Sequence, residues 1–309
     1  MALSGSYDES YNVLEVVTEA LQLIGVYDAS DSLLAADTST VKSSLFMMLK
    51  GWQKDGIGIW KNTPIAIFQS YEGYTYNIGP SQDHATSSYV KTEVATAAGA
   101  GDATLVVDSI TGISDGDAVG IELDDGTLQW TTVNGDPADA TITLTAVLTD
   151  SAAVDNHVYT YTTMIQKPVS LVEMRLHNPD DTERPLTIVS KEEYLNLSDK
   201  TATGTANMVQ YEELLTYGTL NVYPACSDVQ YILLGTVRHP INDLDALTND
   251  VDFPVEYTEA MAYNLAIRIA PKFRVPVPNE VLMIAASSYA MLKANDNSME
   301  SVFFNFTGR

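Results

Sequence analysis

The residues best placed to do chemistry are four aspartates in two turn segments, "SDGD" and "LDDGT". Asp115, Asp117, Asp124 and Asp125 could supply part of the roughly six to eight oxygens that Ca2+ takes. They lack the fixed carboxylate ladder of an EF-hand, and Asp-Gly is common hairpin-turn chemistry, so the pattern is read as turns. Cys226 lies near Pro224 with no histidine close in sequence, which predicts a buried or half-buried free thiol rather than a nucleophile. His84, His157, His177 and His239 show neither ligand nor helical spacing and are read as surface or turn residues. "GAGDAT" at Gly99 lacks the third glycine and the helix that a dinucleotide loop needs. There is no Gly-x-Ser-x-Gly elbow and no P-loop. Trp130, in "LQWTTV", could stack on a sugar, but a core position between sheets fits its strand context better. No catalytic constellation emerges. The chain is read as not an enzyme, with no cofactor and no metal.

Charge narrows the partners. The 309 residues carry 41 acidic and 16 basic side chains, a net charge of -25. Phosphate binding needs Lys and Arg to displace counterions, so a nucleic-acid groove is not expected. Adsorption to an anionic membrane is disfavoured for the same reason. A single cysteine excludes an intrachain disulfide framework. "MALSGSYDES" lacks the basic-then-apolar pattern of a signal peptide, and no apolar run is long enough to span a bilayer. The expectation is a protein folded in a reducing cytoplasm.

The elements that must position these residues begin with two helices. Val13, Val17, Ala20, Leu21 and Ile24 form one stripe, with Asp8 or Ser10 as its cap and Gly25 as its end. Val41, Leu45, Met48 and Trp52 form a second, closed by Gly56, and the pair reads as an antiparallel hairpin. Strands are expected in "TPIAIFQSY" and "GYTYNIG". From 85 to 163 the text changes to short β-rich runs, "ATLVVDS", "DAVGIEL", "LQWTTV", "ATITLTA" and "HVYTYTT", separated by turns. That block has twelve acids and one base, Lys91. It interrupts a β-region that resumes at "MIQKPVSLVEMRL", which predicts an inserted antiparallel sandwich or barrel, peripheral and able to serve as a docking surface. Ser190 and Glu193 form a capping-box pattern, and "MVQYEELLTYGTLNVYPA" reads as a hairpin. Near the end, Pro254 suits a first helical position, and Ala260, Tyr263, Ile267 and Ala270 share a helical face. Pro271 is expected to stop that helix, and Asn279 or Pro278 to begin the last one. The fold class expected is α+β: a helical bundle, built from the N-terminal hairpin and two C-terminal helices, with a β-region and the inserted β-domain. The division is 1–84 with 164–299 as a discontinuous core, 85–163 as the insert and 300–309 as an extended arm.

The outer segments carry a resemblance. "VVTEALQLIGVYDASDSL" with "LFMMLKGWQKDGIGIW" looks like the opening helical hairpin of phage head-to-tail adaptor proteins. "DFPVEYTEAMAYNLAIRIAPKF" and "PNEVLMIAASSYAMLKAND" are similar to that family's closing block, in the elements Phe253 to Glu256, Tyr263 to Ala266, and Ala270 with Pro271. The family includes the tail accessory and tail tubular (A-type) proteins of short-tailed phages. The resemblance implies a structural virion protein in the neck or tail, assembled in the host cytoplasm. It implies a homo-oligomer ring, commonly of about twelve copies, beneath the portal protein and above the tail nozzle or tail tube. DNA would pass through without specific binding, and tail fibres could dock on 85–163. Ser301, Val302, Phe303, Phe304, Phe306 and Arg309 form the arm expected to bind the portal, as the family's C-terminal segments do. The alternative is a tail-associated receptor- or glycan-binding protein using the Trp130 domain.

Overall fold

The computed structural model describes residues 10–28, 30–58 and 61–297. The chain divides into two compact units, Met1–Trp60 with Ile241–Arg309, and Lys61–Pro240. The expectation of an α+β protein centred on a helical bundle is overturned. Among the described residues, seventeen strands in four sheets dominate, and five α-helices are the minority. Helical periodicity was prominent in the sequence because it needs long windows. Strands of two residues, such as β3 (Ala85–Thr86), leave no period to read.

The first unit holds α1 (Val13–Leu23), α2 (Ala35–Lys54), α4 (Thr258–Phe273) and α5 (Asn279–Asn297), whereas α3 (Lys191–Leu195) belongs to the second. Val17 and Leu21, Leu45 and Met48, Leu265 and Ile269, and Val281 and Leu292 meet in one core. The cap of α1 is Asn12, not Asp8 or Ser10. Its Oδ1 accepts from Glu15 N at 2.9 Å, while Glu15 Oε2 accepts from Asn12 N at 2.8 Å. Gly25 and Gly56, at φ 68° and 92°, end the first two helices in the left-handed region, as expected.

Two expectations about α4 need correction. Pro254 precedes a 3-10 turn, Val255–Tyr257, rather than opening the α-helix. Pro271 lies inside α4, which runs on to Phe273. The helix ends in a Schellman motif, with Arg274 left-handed at φ 59°, Arg274 N bonding Pro271 O and Val275 N bonding Ala270 O. In the last turn the proline removes one amide without interrupting the bonds that close the helix. The buried stripe is also wider than expected. Met261, Ala262, Leu265, Ala266 and Ile269 are buried, while Tyr263 and Ile267 are only partly so.

The second unit is layered around a five-stranded sheet. Its order is β11 (Glu183–Pro185), β10 (Ser170–His177), β17 (Ile232–Arg238), β1 (Asn62–Phe68) and β3. A four-stranded sheet of β12 (Thr187–Ile188), β14 (Met208–Glu213), β15 (Gly218–Tyr223) and β2 (Thr75–Ile78) shares a core with it. Two short strands, β13 (Thr203–Gly204) and β16 (Ala225–Cys226), pair separately. The short helix α3 between β12 and β13 has the expected capping box, with Ser190 N donating to Glu193 Oε2 at 2.8 Å.

The fourth sheet, between positions 90 and 161, curls into a barrel-like shape. Its strands run β7 (Leu128–Thr132), β6 (Ala118–Glu122), β9 (His157–Tyr161), β4 (Val90–Thr96), β5 (Thr104–Val107) and β8 (Thr141–Thr143), each pair antiparallel. Thr145 N donates to Thr132 O and Asn134 N to Thr143 O, both at 2.9 Å, and Val133 bridges Leu144. These contacts tie the end of β7 to β8 and curl the sheet over its interior. Val94, Leu105, Val119, Ile121, Ile142 and Val158 fill the interior.

A sheet curled around its own buried core should fold without the rest of the chain. Residues 85–163 expressed alone are expected to give a β-type circular dichroism spectrum and one cooperative melt. A random-coil spectrum would refute this.

Candidate functional site

The barrel is joined to the five-stranded sheet through alternation on two strands. On β1, Ile65 and Ile67 point into the sandwich core, while Ala66 and Phe68 point the other way. On β17, Leu233 and Val237 share the first core, and Ile232 and Leu234 the second side. On β9, Val158 fills the barrel while Tyr159 and Tyr161 face outward to meet Phe68. All five residues of β9 are buried. The Phe68 ring lies 5.1 Å from Trp130, 5.1 Å from Tyr159 and 5.4 Å from Tyr89. A polar tie adds to this, with Gln230 Nε2 donating to Glu122 Oε1 at 2.8 Å. Each buried aromatic contributes about 1.5–3 kcal/mol and one hydrogen bond about 0.5–1.5 kcal/mol, so the apolar seam dominates. The insert is therefore seated on the sheet, not tethered at a loop tip.

Trp130 is the key to what this seam can do. One face of its ring lies over Gly120, where a Cβ would meet indole carbons at 2.7 Å. The other carries His84, stacked at 3.8 Å and 7°. Neither face is open to a sugar. Tyr161 keeps its proton because burial pushes its pKa up to about 12. Its hydroxyl lies 2.6 Å from His84 Nδ1, a hydrogen bond that ties the two side chains together. Burial holds the His84 pKa down to about 4, against a weaker opposing pull from Asp83. Beside this stack is a cavity of about 170 Å3, lined by Gln69, Ser70, Tyr76 and Asp83 among others. Gln69 Nε2 is buried with no hydrogen-bond partner among the described residues.

The acidic turns are structural. Asp115 Oδ1 accepts from Gly135 N at 2.6 Å, Asp117 Oδ2 from Ser114 N at 2.8 Å, and Asp125 Oδ1 from Thr127 N at 2.8 Å. Asp124 takes Ser151 Oγ at 2.6 Å and Ala153 N at 2.9 Å, and these bonds, Ser151 first, lower its pKa. Among the described residues no group of three or more His, Cys, Asp or Glu could hold a metal. Cys226 is 1% exposed and donates to Asp228 O at 3.1 Å. Burial pushes its thiol up to about 11, the opposite of what a nucleophile needs.

His157 departs from the surface or turn position expected for the histidines. His157 is buried on β9, with Nε2 3.7 Å from Glu93 and Nδ1 3.1 Å from the Tyr159 hydroxyl. Strand alternation in "HVYTY", with Val158 and Thr160 assigned to the barrel core, could have placed it on the seam side. Two lysines of α2 make contacts within their unit, Lys50 reaching Asp243 at 3.2 Å and Lys42 donating to Asp245 O at 2.8 Å. The arm Ser301, Val302, Phe303, Phe304, Phe306 and Arg309 lies outside the described residues.

In the other unit, α1 and α4 border a groove of about 750 Å3 with Tyr11, Leu14 and Val255 in its lining and Glu15, Glu19 and Glu259 beside them. Among the described residues no helix is long and apolar enough to cross a membrane. Comparison with protein families gives no match to this chain, and none of the curated proteins matches it.

The stack predicts a pH response with a definite sign. His84 binds its proton more weakly folded than unfolded, so its contribution to stability is intact above about pH 6.5 and falls away as pH drops toward about 4. His84→Phe should keep the stack and flatten that part of the pH–stability curve relative to the wild type, followed by Trp130 fluorescence. Phe68→Ala should cost about 3–5 kcal/mol by chemical denaturation. An unchanged pH curve, or a loss under about 1 kcal/mol, would refute the two points respectively.

Proposed function

We propose that this chain is a structural virion protein, a head-to-tail adaptor that assembles as a ring beneath a portal and forms part of the DNA conduit. The observation that carries the reading is the joining of the two separated stretches that bear the adaptor resemblance. Residues of α1 and α2 and residues of α4 and α5, some two hundred positions apart in the chain, fold into one core. A unit assembled from both ends of the chain leaves the middle free to carry additional structure, here the β-unit with its acidic barrel.

Charge supports the conduit. At -25 per copy, a ring of this protein presents a field that repels the phosphate backbone, and DNA slides past rather than being held. On α2, Lys42 and Lys50 are engaged within their own unit, by Asp245 O and by Asp243. Partners in this reading are the portal protein, the tail tube or nozzle, and tail fibres on the acidic barrel turns. The arm at 300–309 is assigned to the portal. The glycan-binding alternative loses its main residue, since Trp130 is covered on both faces.

Negative-stain micrographs of the purified protein, alone and mixed with portal protein, should show rings of uniform diameter. Monomers under both conditions would refute the reading. In a mobility-shift series the protein should leave duplex DNA unretarded at physiological salt. A shift that weakens steeply with added salt would reveal phosphate contacts and contradict the conduit.

A further inference from the structure

Charge is segregated along this chain. No Lys or Arg occurs between Tyr11 and Val41 or between His239 and Ile267, and those two stretches hold eleven acids. The first carries α1 and the second the start of α4, and the groove of about 750 Å3 lies between these two helices. Glu15, Glu19 and Glu259 line it, and no Lys, Arg or His is among its lining residues.

Between the carboxylates the walls are apolar and patterned. Tyr11, Leu14 and Thr18 recur at three- and four-residue spacing on one wall, and Val255, Thr258 and Ala262 do so on the other. Tyr11 and Leu14 are each 37% exposed and Val255 38%, and the small side chains beside them leave the space open. The walls run from Tyr11 to Glu19 and from Val255 to Tyr263, about 12 Å of rise each, which matches about two turns of a helix. Neither wall is a strand edge on which an extended segment could pair. At the start of α1, Val13 N and Leu14 N already donate to Asn249 O and Leu247 O. An occupant must therefore satisfy its own backbone, and a helix does so.

We propose that the α1–α4 groove docks an amphipathic helix of a partner protein, one whose apolar stripe is flanked by Lys or Arg. The stripe fills the space between Leu14 and Val255, and the flanking cations meet Glu15, Glu19 and Glu259. A second copy of this chain is disfavoured as the partner, because two chains of net charge -25 repel one another. Exposed ion pairs add little affinity each. Their part is to speed encounter and to select a cationic helix over an acidic one. The inference stands apart from the ring reading and does not need it.

The test uses full-length protein and three labelled synthetic peptides of about 18 residues, long enough to form a helix. One places leucine at i, i+3, i+4 and i+7 with lysine elsewhere, the second has glutamate in place of lysine, and the third is the first in scrambled order. By fluorescence anisotropy at physiological salt, the leucine–lysine peptide should bind one to one and at least about tenfold tighter than either control. Leu14→Ser, Val255→Ser, and Glu19→Gln with Glu259→Gln should each weaken it at least about fivefold. Met47→Ser, at an exposed position of α2 outside the groove, should leave it unchanged. The two serine variants lie on different walls, so one remains informative if the other misfolds by circular dichroism. Equal binding of the scrambled peptide, or no loss in the groove variants, would reduce the effect to general attraction by an acidic surface and overturn the proposal. Equal binding of the glutamate peptide, or no binding of any peptide, would overturn it as well. A wild type that self-associates and is dispersed to monomers by Leu14→Ser in sedimentation velocity would make a second copy the occupant, which also overturns it. Rings that form unchanged in Leu14→Ser leave the ring reading standing whatever the peptides do.

Discussion

The second unit depends on two strands that are buried on both faces. Most antiparallel strands hide one side and show the other to water. β1 and β17 hide both, with Ile65, Ile67 and Leu233 facing the sandwich core and Phe68 and Ile232 facing the barrel. They pair along their whole length, from Asn62 opposite Arg238 to Phe68 opposite Ile232. A one-residue slip would exchange the two faces and send Phe68 into the wrong core. The register of this one pair therefore fixes both the sandwich and the seat of the barrel.

The seam also shows how a polar ring can serve an apolar interface. His84 is a stacking partner because it is neutral, and it is neutral because burial penalises the cation more than Asp83 rewards it. Tyr161 anchors the ring through a hydrogen bond at Nδ1. Glycine at position 120 completes the arrangement, since any side chain there would occupy the space of the indole. These are demands of close packing around one tryptophan, and they account for an unusual concentration of aromatic residues without invoking a ligand.

Much of this was legible in the residues, and the failures have physical causes. The stripes of Val13, Val17 and Leu21 and of Val41, Leu45 and Met48 are buried as read, because a long helix repeats its pattern often enough to be counted. The strands of "HVYTYTT" and "DAVGIEL" were found, as was the Ser190 box. What escaped notice was the weight of β-structure in the chain. Strands of two or three residues are fixed by the partner they pair with, not by their own composition, and β4, with Lys91 and Glu93 among its residues, reads as polar text. Pro271 reads as a stop in the sequence, whereas the helix runs two residues further and closes through Ala270 O and the left-handed Arg274. The seam was invisible for another reason. Phe68 and Tyr159 are ninety-one positions apart, and nothing local in either segment announces the other.

The entrance and exit of the barrel are neighbours. Val90 pairs with Thr160, and Ile165 N donates to Ala85 O at 2.9 Å, so the chain leaves the five-stranded sheet and returns to it as a two-stranded ribbon. Closing so long an excursion adds little entropy cost once its two ends are held together, because that cost grows only with the logarithm of length. The position behaves as a graft junction. A lineage could enlarge, exchange or lose everything beyond it while the stem and the sandwich keep their register, with Phe68 and its companions as the surface any replacement would have to cover.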